Sequence, residues 1–166
     1  NELSNKFTFV PGQIKNSLKR AVYESELRAL DHITVDILYD SCYKQIVHNL
    51  SQTASLIKPA YTWNDLVLPD SEIDTLKAAC NHVKYRHKVF SQWGFEKKLP
   101  YGRGLAILFS GPPGTGKTMS AQIIANELHM EMYKIQLSKV ISKYIGETEK
   151  NLSLIFEEAK KSNVIL

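Results

Sequence analysis

Apolar residues along this chain recur at helical spacing through its first half and alternate between strand-like and helical runs in its last third. Lys6-Phe7-Thr8-Phe9-Val10 reads as a short extended start, and Pro11 suits the first position of a helix. Ile14, Leu18, Ala21 and Val22 then fall on one face at i, i+4, i+7 and i+8. A second helix opens at Thr34 as its N-cap, with Ile33 and Leu38 placed for a hydrophobic staple. Its stripe is Val35, Leu38, Tyr39, Cys42 and Ile46. Two short amphipathic helices cannot bury their stripes alone, so residues 1–50 predict a small helical segment that needs a partner surface. Residues 51–70 lose the periodicity and carry Ser51, Thr53, Ser55, Pro59 and Pro69, as a linker does. A third helix follows with Ile73, Leu76, Cys80, Val83 and Phe90 on one stripe, then a loop from Trp93 to Arg103.

From residue 104 the pattern changes. Leu105-Ala106-Ile107-Leu108-Phe109 is a continuous apolar run between Gly104 and Ser110, as in a central strand buried on both faces. Ala121, Ile124, Ala125 and Leu128, with Ile123 on another side, make a helix covered by more than one neighbour. Met132 to Leu137 alternates like an edge strand, and Leu152, Ile155, Phe156 and Ala159 form the next helical stripe. Val164-Ile165-Leu166 begins one more apolar run. The β-α-β-α-β order predicts an α/β class with a parallel sheet wrapped by helices.

Composition narrows the picture only slightly. The 166 residues are 43% apolar, with 21 Lys+Arg against 17 Asp+Glu, a globular balance and about one domain's length. No apolar run is long enough to cross a bilayer, and no N-terminal segment has the layout of a signal peptide. Cys42 and Cys80 belong to no metal-binding cluster and read as buried thiols of a reducing, cytoplasmic compartment. The chain starts at Asn1 rather than Met, the mark of a piece of a longer polypeptide. Between Lys77 and Arg103 stand seven Lys/Arg residues and, after Asp74, one acid, Glu96. Such a run attracts nucleic acid, an acidic partner or phosphates. Without an aromatic-interleaved motif beside it, it reads first as a solvated helix face and loop.

The chemistry is concentrated in Gly111-Pro112-Pro113-Gly114-Thr115-Gly116-Lys117-Thr118, which fits G-x-x-x-x-G-K-[ST] directly after an apolar run and before a helix. The glycines let the backbone wrap so that successive N–H groups point inward at phosphate oxygens. The helix start adds unsatisfied N–H groups and a dipole that attracts anions. Lys117 supplies a point charge to the β- and γ-phosphates, and the Thr118 hydroxyl is a ligand for Mg²⁺. Met119 continues the nucleotide-binding stretch into the helix. ATP with Mg²⁺ is the implied cofactor. Hydrolysis also needs an acid holding the metal and a group orienting water, usually at the end of a later strand. The apolar run at Val164 looks like the start of that strand, so this stretch is expected to bind nucleotide without turning it over.

Gly111 to Thr118, followed by Ser142-Lys143-Tyr144-Ile145-Gly146-Glu147-Thr148-Glu149-Lys150-Asn151, resembles the AAA subfamily of AAA+ ATPases. The resemblance implies a P-loop NTPase core, a three-layer α/β/α arrangement with a parallel sheet, here its N-terminal half before the Walker B acids. It also implies a first pore loop in which Tyr144, flanked by Lys143 and Ile145, grips a polypeptide in the channel of a homo-hexameric ring. Glu147 and Glu149 have a plain role beside it, as acids complementing a helix dipole. Tyr61-Thr62-Trp63-Asn64-Asp65-Leu66-Val67 is similar to the family's segment leading into the core, which implies adenine contacts at Asp65, Leu66 and Val67. Leu68-Pro69 stands where the subfamily more often has glycines, and a linker packing Trp63 on the domain is the other reading of that segment.

Thr8 to Ile14 and Ile33 to Leu38 resemble the closing helices of an AAA lid. That implies the lid end of a preceding module in residues 1–50, a linker and core entrance in 51–70, and the first half of a second core in 71–166. The pattern is similar to two-module AAA proteins associated with contractile injection systems. The implied function is ATP hydrolysis coupled to remodelling or threading of protein substrates, with ATP/ADP and a peptide as partners, nucleic acid disfavoured and no membrane span. A nucleic-acid motor or clamp loader, and a non-hydrolysing nucleotide-dependent scaffold, remain the alternatives.

Overall fold

A computed structural model of the chain describes residues 3, 6–46, 50, 53–98, 104–141 and 146–166. In chain order these include α1 (Pro11–Leu27), α2 (Val35–Tyr43), β1 (Ala54–Ile57), α3 (Asp70–His87), α4 (Lys117–Glu127), β2 (Met132–Ile135), the single turn α5 (Leu137–Val140) and α6 (Glu147–Ser162). The chain divides into two compact units, Asn1–Ile57 together with Glu131–Leu166, and Lys58–Met130.

The first unit holds α1, α2, both strands, α5 and α6. Pro11 takes the first helical position of α1, and the Val10 N–H donates to the Gln13 side chain at 3.2 Å. The face of α1 that is buried differs from the one its apolar spacing predicts. Ser17, Ala21 and Ser25 are covered, whereas Ile14, Leu18 and Val22 remain nearly half exposed. Small side chains let α1 approach α2 closely, with Ser17 in hydrogen-bonding reach of the Cys42 thiol. α2 begins where Thr34 predicts, its hydroxyl accepting from the Ile37 N–H at 3.4 Å. Ile37, Tyr39, Cys42 and Tyr43 are buried, while Val35, assigned to the stripe by spacing, is exposed. The extended start is anchored by aromatic packing: the Phe7 ring stacks on Phe9 at 5.2 Å and meets Tyr43 edge-on at 5.0 Å.

Ala54–Ile57, read from sequence as linker, is a strand. It pairs antiparallel with β2, Ala54 opposite Ile135 and Ile57 opposite Met132. Four residues give too short a run for alternation to announce itself. On the other side of β2, Met132 forms a parallel bridge with Ile165, and the Tyr133 N–H donates to the Ile165 carbonyl at 2.8 Å. β2 is therefore flanked on both sides and is not the edge strand its alternation predicts. Leu50, Ala54, Tyr133, Val140 and Ile155 form the core here. α6 buries Ile155 and Ala159 but leaves Phe156, expected on the same stripe, exposed. Glu147 and Glu149 lie in its first turn and Lys160 and Lys161 in its last, the charge order that a helix dipole favours.

The second unit is built on α3 and α4. Leu76 and Cys80 of α3 are buried, as are Ile123, Ile124, Ala125 and Leu128 in and just after α4, in accord with both predicted stripes. Leu105–Phe109 is a correction. It forms no ladder among the described residues, and Leu108 is 91% exposed, so it is not the buried central strand that its composition predicts. A parallel strand is buried only when neighbours flank it on both edges and helices cover its faces, and an apolar run cannot supply those neighbours itself.

Candidate nucleotide-binding site

The loop from Gly111 to Gly116 has the backbone that the sequence requires. Gly111, Gly114 and Gly116 have φ values of +144°, +83° and +79°, a region that side-chain-bearing residues rarely occupy. Gly111 is also crowded, since a Cβ there would stand 3.2 Å from the Thr115 hydroxyl. Pro112 and Pro113 fill the turn between the first two glycines, where their fixed φ narrows the loop's freedom. The Thr115 hydroxyl donates to the Pro112 carbonyl at 2.9 Å and closes the turn from within.

Gly116 caps α4, and the first bond of that helix runs from the Ser120 N–H to the Gly116 carbonyl at 2.8 Å. The N–H groups of Lys117, Thr118 and Met119 therefore have no acceptor inside the helix. Lys117 is half-buried, and its ammonium donates to the carbonyls of Gly111 (2.9 Å) and Pro112, with the Thr115 hydroxyl at 3.3 Å. The lysine thus lies across the mouth of its own loop, bonded to backbone oxygens. Thr118 is exposed beside it, and Met119 is half-buried.

The segment leading into this unit is tied to α4. The Asn126 side chain donates to the Tyr61 carbonyl at 3.0 Å, and the Ala60 N–H donates to the Gln122 side chain at 3.4 Å. The Trp63 indole donates to Glu127 at 3.0 Å, and the Lys84 ammonium holds the other oxygen of that carboxylate. The Lys84 hydrogen bond, then that of Trp63, keeps the Glu127 carboxyl below the usual carboxylate range. The sequence reading of a linker that packs Trp63 on the domain accords with its bond to Glu127, but the partner itself could not be named, because Glu127 lies 43 and 64 residues from Lys84 and Trp63.

The three consecutive residues expected at adenine have different surroundings. Leu66 is buried and approaches the phosphate loop, its Cδ1 only 3.8 Å from where a Cβ on Gly116 would stand. Val67 is 94% exposed. Asp65 turns back on its own chain, accepting from the Thr62 N–H at 2.7 Å and the Thr62 hydroxyl at 2.8 Å. Those bonds hold its carboxyl below its ordinary value. Lys143, Tyr144 and Ile145 lie outside the described residues. The flanks of that stretch are fixed, with the Asn151 side chain donating to the carbonyl of buried Val140 at 3.2 Å.

No helix among the described residues is long and apolar enough to cross a membrane. Among the same residues, no three His, Cys, Asp or Glu side chains converge as a metal cluster.

Residues 107–166 match the family described as "ATPase family associated with various cellular activities (AAA)". The chain is 33% identical over 110 residues to an uncharacterized AAA family ATPase, y4kL, of Sinorhizobium fredii, covering 66% of this chain and 31% of that protein. It is 48% identical over 104 residues to the cell division cycle protein 48 homolog of Archaeoglobus fulgidus, covering 63% of this chain and 13% of that protein. With the peroxisomal ATPase PEX6 of Pichia angusta it shares 32% identity over 106 residues, 61% of this chain and 8% of that protein. The chain thus spans less than a third of the length of these relatives. The AAA family is one of ATPases with a P-loop α/β fold that bind nucleotide, typically with Mg²⁺. The family's segment runs from inside the apolar run at Ile107 through the glycine loop to Leu166, so residues 107–166 of this chain belong to the AAA ATPase family.

Proposed function

We propose that residues 111–119 seat the polyphosphate of ATP or ADP and that Lys117 is the cation that meets its β- and γ-phosphates. The observation that carries this reading is the left-handed glycine loop closing onto the start of α4, with the Lys117 ammonium lodged against its carbonyls. A bound polyphosphate offers that ammonium anionic oxygens in place of neutral ones, and charge-assisted bonds are the stronger. The free N–H groups of Lys117, Thr118 and Met119 complete the cradle. Leu66, against Gly116, supplies apolar cover at its rim. Asp65 acts by fixing the turn that presents Leu66, and Val67 is free to contact a base edge from solvent.

Thr118 fits one position in the shell of an Mg²⁺ ion, since its hydroxyl is exposed next to Lys117. The ion would neutralise phosphate charge, with its other ligands drawn from phosphate oxygens and water. Nucleotide binding is the part of the activity these residues carry.

For the whole protein we read an ATP-driven machine that remodels or threads polypeptides as a homo-hexameric ring in the cytoplasm, with Tyr144, Lys143 and Ile145 gripping the substrate. The relatives named above support ATP-dependent action, and the match of residues 142–151 to a pore-loop pattern supports the grip. A direct test is calorimetric titration with ADP and Mg²⁺. Lys117→Ala should weaken binding about ten- to a hundredfold, as expected for losing hydrogen bonds to a charged group. Equal affinity in the two proteins refutes the assignment. In the intact protein, Tyr144→Ala should abolish substrate-stimulated turnover and leave nucleotide affinity unchanged, as a stimulated-ATPase assay would show.

A further inference from the structure

The stretch from Lys77 to Lys98 holds six Lys/Arg residues and a single acid, Glu96. What sequence spacing does not disclose is where its aromatic rings stand. α3 ends at His87, and the chain then makes one wide turn over Lys88–Gln92, closed by the Trp93 N–H on the Lys88 carbonyl at 3.0 Å. Gly94, at φ +74°, reverses it into a tight turn over Phe95–Lys97. Two rings at positions 93 and 95, spaced as on a strand but carried by no strand, are thereby displayed from consecutive turns. Trp93 is 62% exposed and Phe95 40% exposed, with Tyr85 at 56% on the last turns of α3. Each turn ring carries its own cation: the Lys88 ammonium lies 5.9 Å from the Trp93 centroid, and that of Lys98 lies 6.0 Å from the Phe95 centroid. Arg86 and Lys97 are exposed alongside.

An exposed ring presents a face on which another π-system can stack, and a neighbouring ammonium adds attraction for an anion. Exposed rings within a cationic surface form the combination that reads a single strand, with bases on the rings and phosphates on the ammonium groups. An acidic peptide would use the cations and leave Trp93 and Phe95 without a role. We infer that the surface formed by the end of α3 and the two turns after it, centred on Trp93, Phe95, Lys88 and Lys98, binds single-stranded nucleic acid. This goes beyond the nucleotide site and does not depend on it.

The test is fluorescence anisotropy of the 166-residue chain with labelled oligothymidylate and oligouridylate of about 16 nucleotides. Four cations on phosphates (Arg86, Lys88, Lys97 and Lys98) give a salt slope of about 2.8, or about a fiftyfold loss of affinity between about 50 and about 200 mM salt. Trp93→Ala should weaken binding about tenfold, with Trp93→Phe retaining most of it. Should Trp93→Ala fail to fold by its thermal melt, Lys88→Glu combined with Lys98→Glu decides, and the salt slope should fall by about 1.4. Saturating ADP should leave oligonucleotide affinity unchanged. The inference is overturned by the absence of saturable binding at the lower salt, or by a folded Trp93→Ala that binds like the parent chain. It is equally overturned if the double charge variant keeps the full salt slope, if ADP displaces the strand, or if polyglutamate of equal length competes as well as the oligonucleotide does.

Discussion

Gly111 shows how much a single position in the phosphate loop has to satisfy. Its φ of +144° is reserved for residues without a side chain, and a methyl there would stand 3.2 Å from the Thr115 hydroxyl that closes the turn. Gly111→Ala should cost about 1–3 kcal/mol of local strain and lower ADP affinity at least about tenfold, read by titration beside a thermal melt. Affinity equal to that of the parent would mean the loop adopts another shape when occupied. The tight glycine turn before α4 was legible in the sequence, because Gly111, Gly114 and Gly116 fall where the backbone takes positive φ. Asp65 was not. Its role depends on a bond to Thr62 three residues away, which the motif match for adenine contact overlooked. The cysteines were legible as buried. Burial, first of all, pushes both thiols above their ordinary value, which leaves them poorly nucleophilic.

Among the elements, α4 is the one that the rest of its unit holds in place. Trp63 from the incoming segment and Lys84 from α3 converge on Glu127, at the far end of the helix from the phosphate loop. The Glu127 carboxyl titrates below its ordinary value of 4.5. The unfolded chain therefore takes up this proton at a higher pH than the folded one. The stabilisation is present above about 4.5 and fades as pH falls through the lowered native value. Glu127→Gln should destabilise the chain by about 1 kcal/mol at neutral pH, since the Lys84 pair is about one-third exposed and partly screened. The gap between variant and parent should close on acidification, as denaturant titrations at neutral and acidic pH would show. A gap independent of pH would mean that Glu127 acts through packing alone. Element type was legible for α1 to α4 from periodicity and caps, whereas the buried face of α1 was not. Spacing selects Ile14, Leu18, Ala21 and Val22 by hydrophobicity, and of these only Ala21 is buried; the contact with α2 selects Ser17, Ala21 and Ser25 by size. Leu105–Phe109 failed for a related reason: pairing partners, not composition, make a central strand.

At the scale of the whole chain, the glycine loop and the start of α6 fall into different compact units. Residues 111–119 belong to Lys58–Met130, and residues 146–151 belong to the unit built from Asn1–Ile57 and Glu131–Leu166. The sequence, read as a lid end, a linker and a half core, contains no signal for this division. Ala54–Ile57 joins the first unit through its ladder with β2, some 80 residues away in the chain, and through the packing of Ala54 with Leu50, Val140 and Ile155. A ligand that binds one unit stabilises the states in which that unit is folded, by about 2.7 kcal/mol at a hundred times its dissociation constant. If each unit opens on its own core, saturating ADP should slow amide exchange by up to about a hundredfold in α3, α4 and the loop before α4. Exchange in α1, α2 and α6 should then stay within about twofold of the free protein. Mass-spectrometric hydrogen exchange over those peptides distinguishes the cases. Equal slowing in both sets would show that the chain opens as one cooperative block, so that ADP binding in one unit reaches the other through global stability. Slowing confined to the second unit would require a different carrier for any coupling between the two. The chain joins the units at two places, at Ile57–Lys58 and along the short connection from Leu128 to Glu131 between the end of α4 and β2.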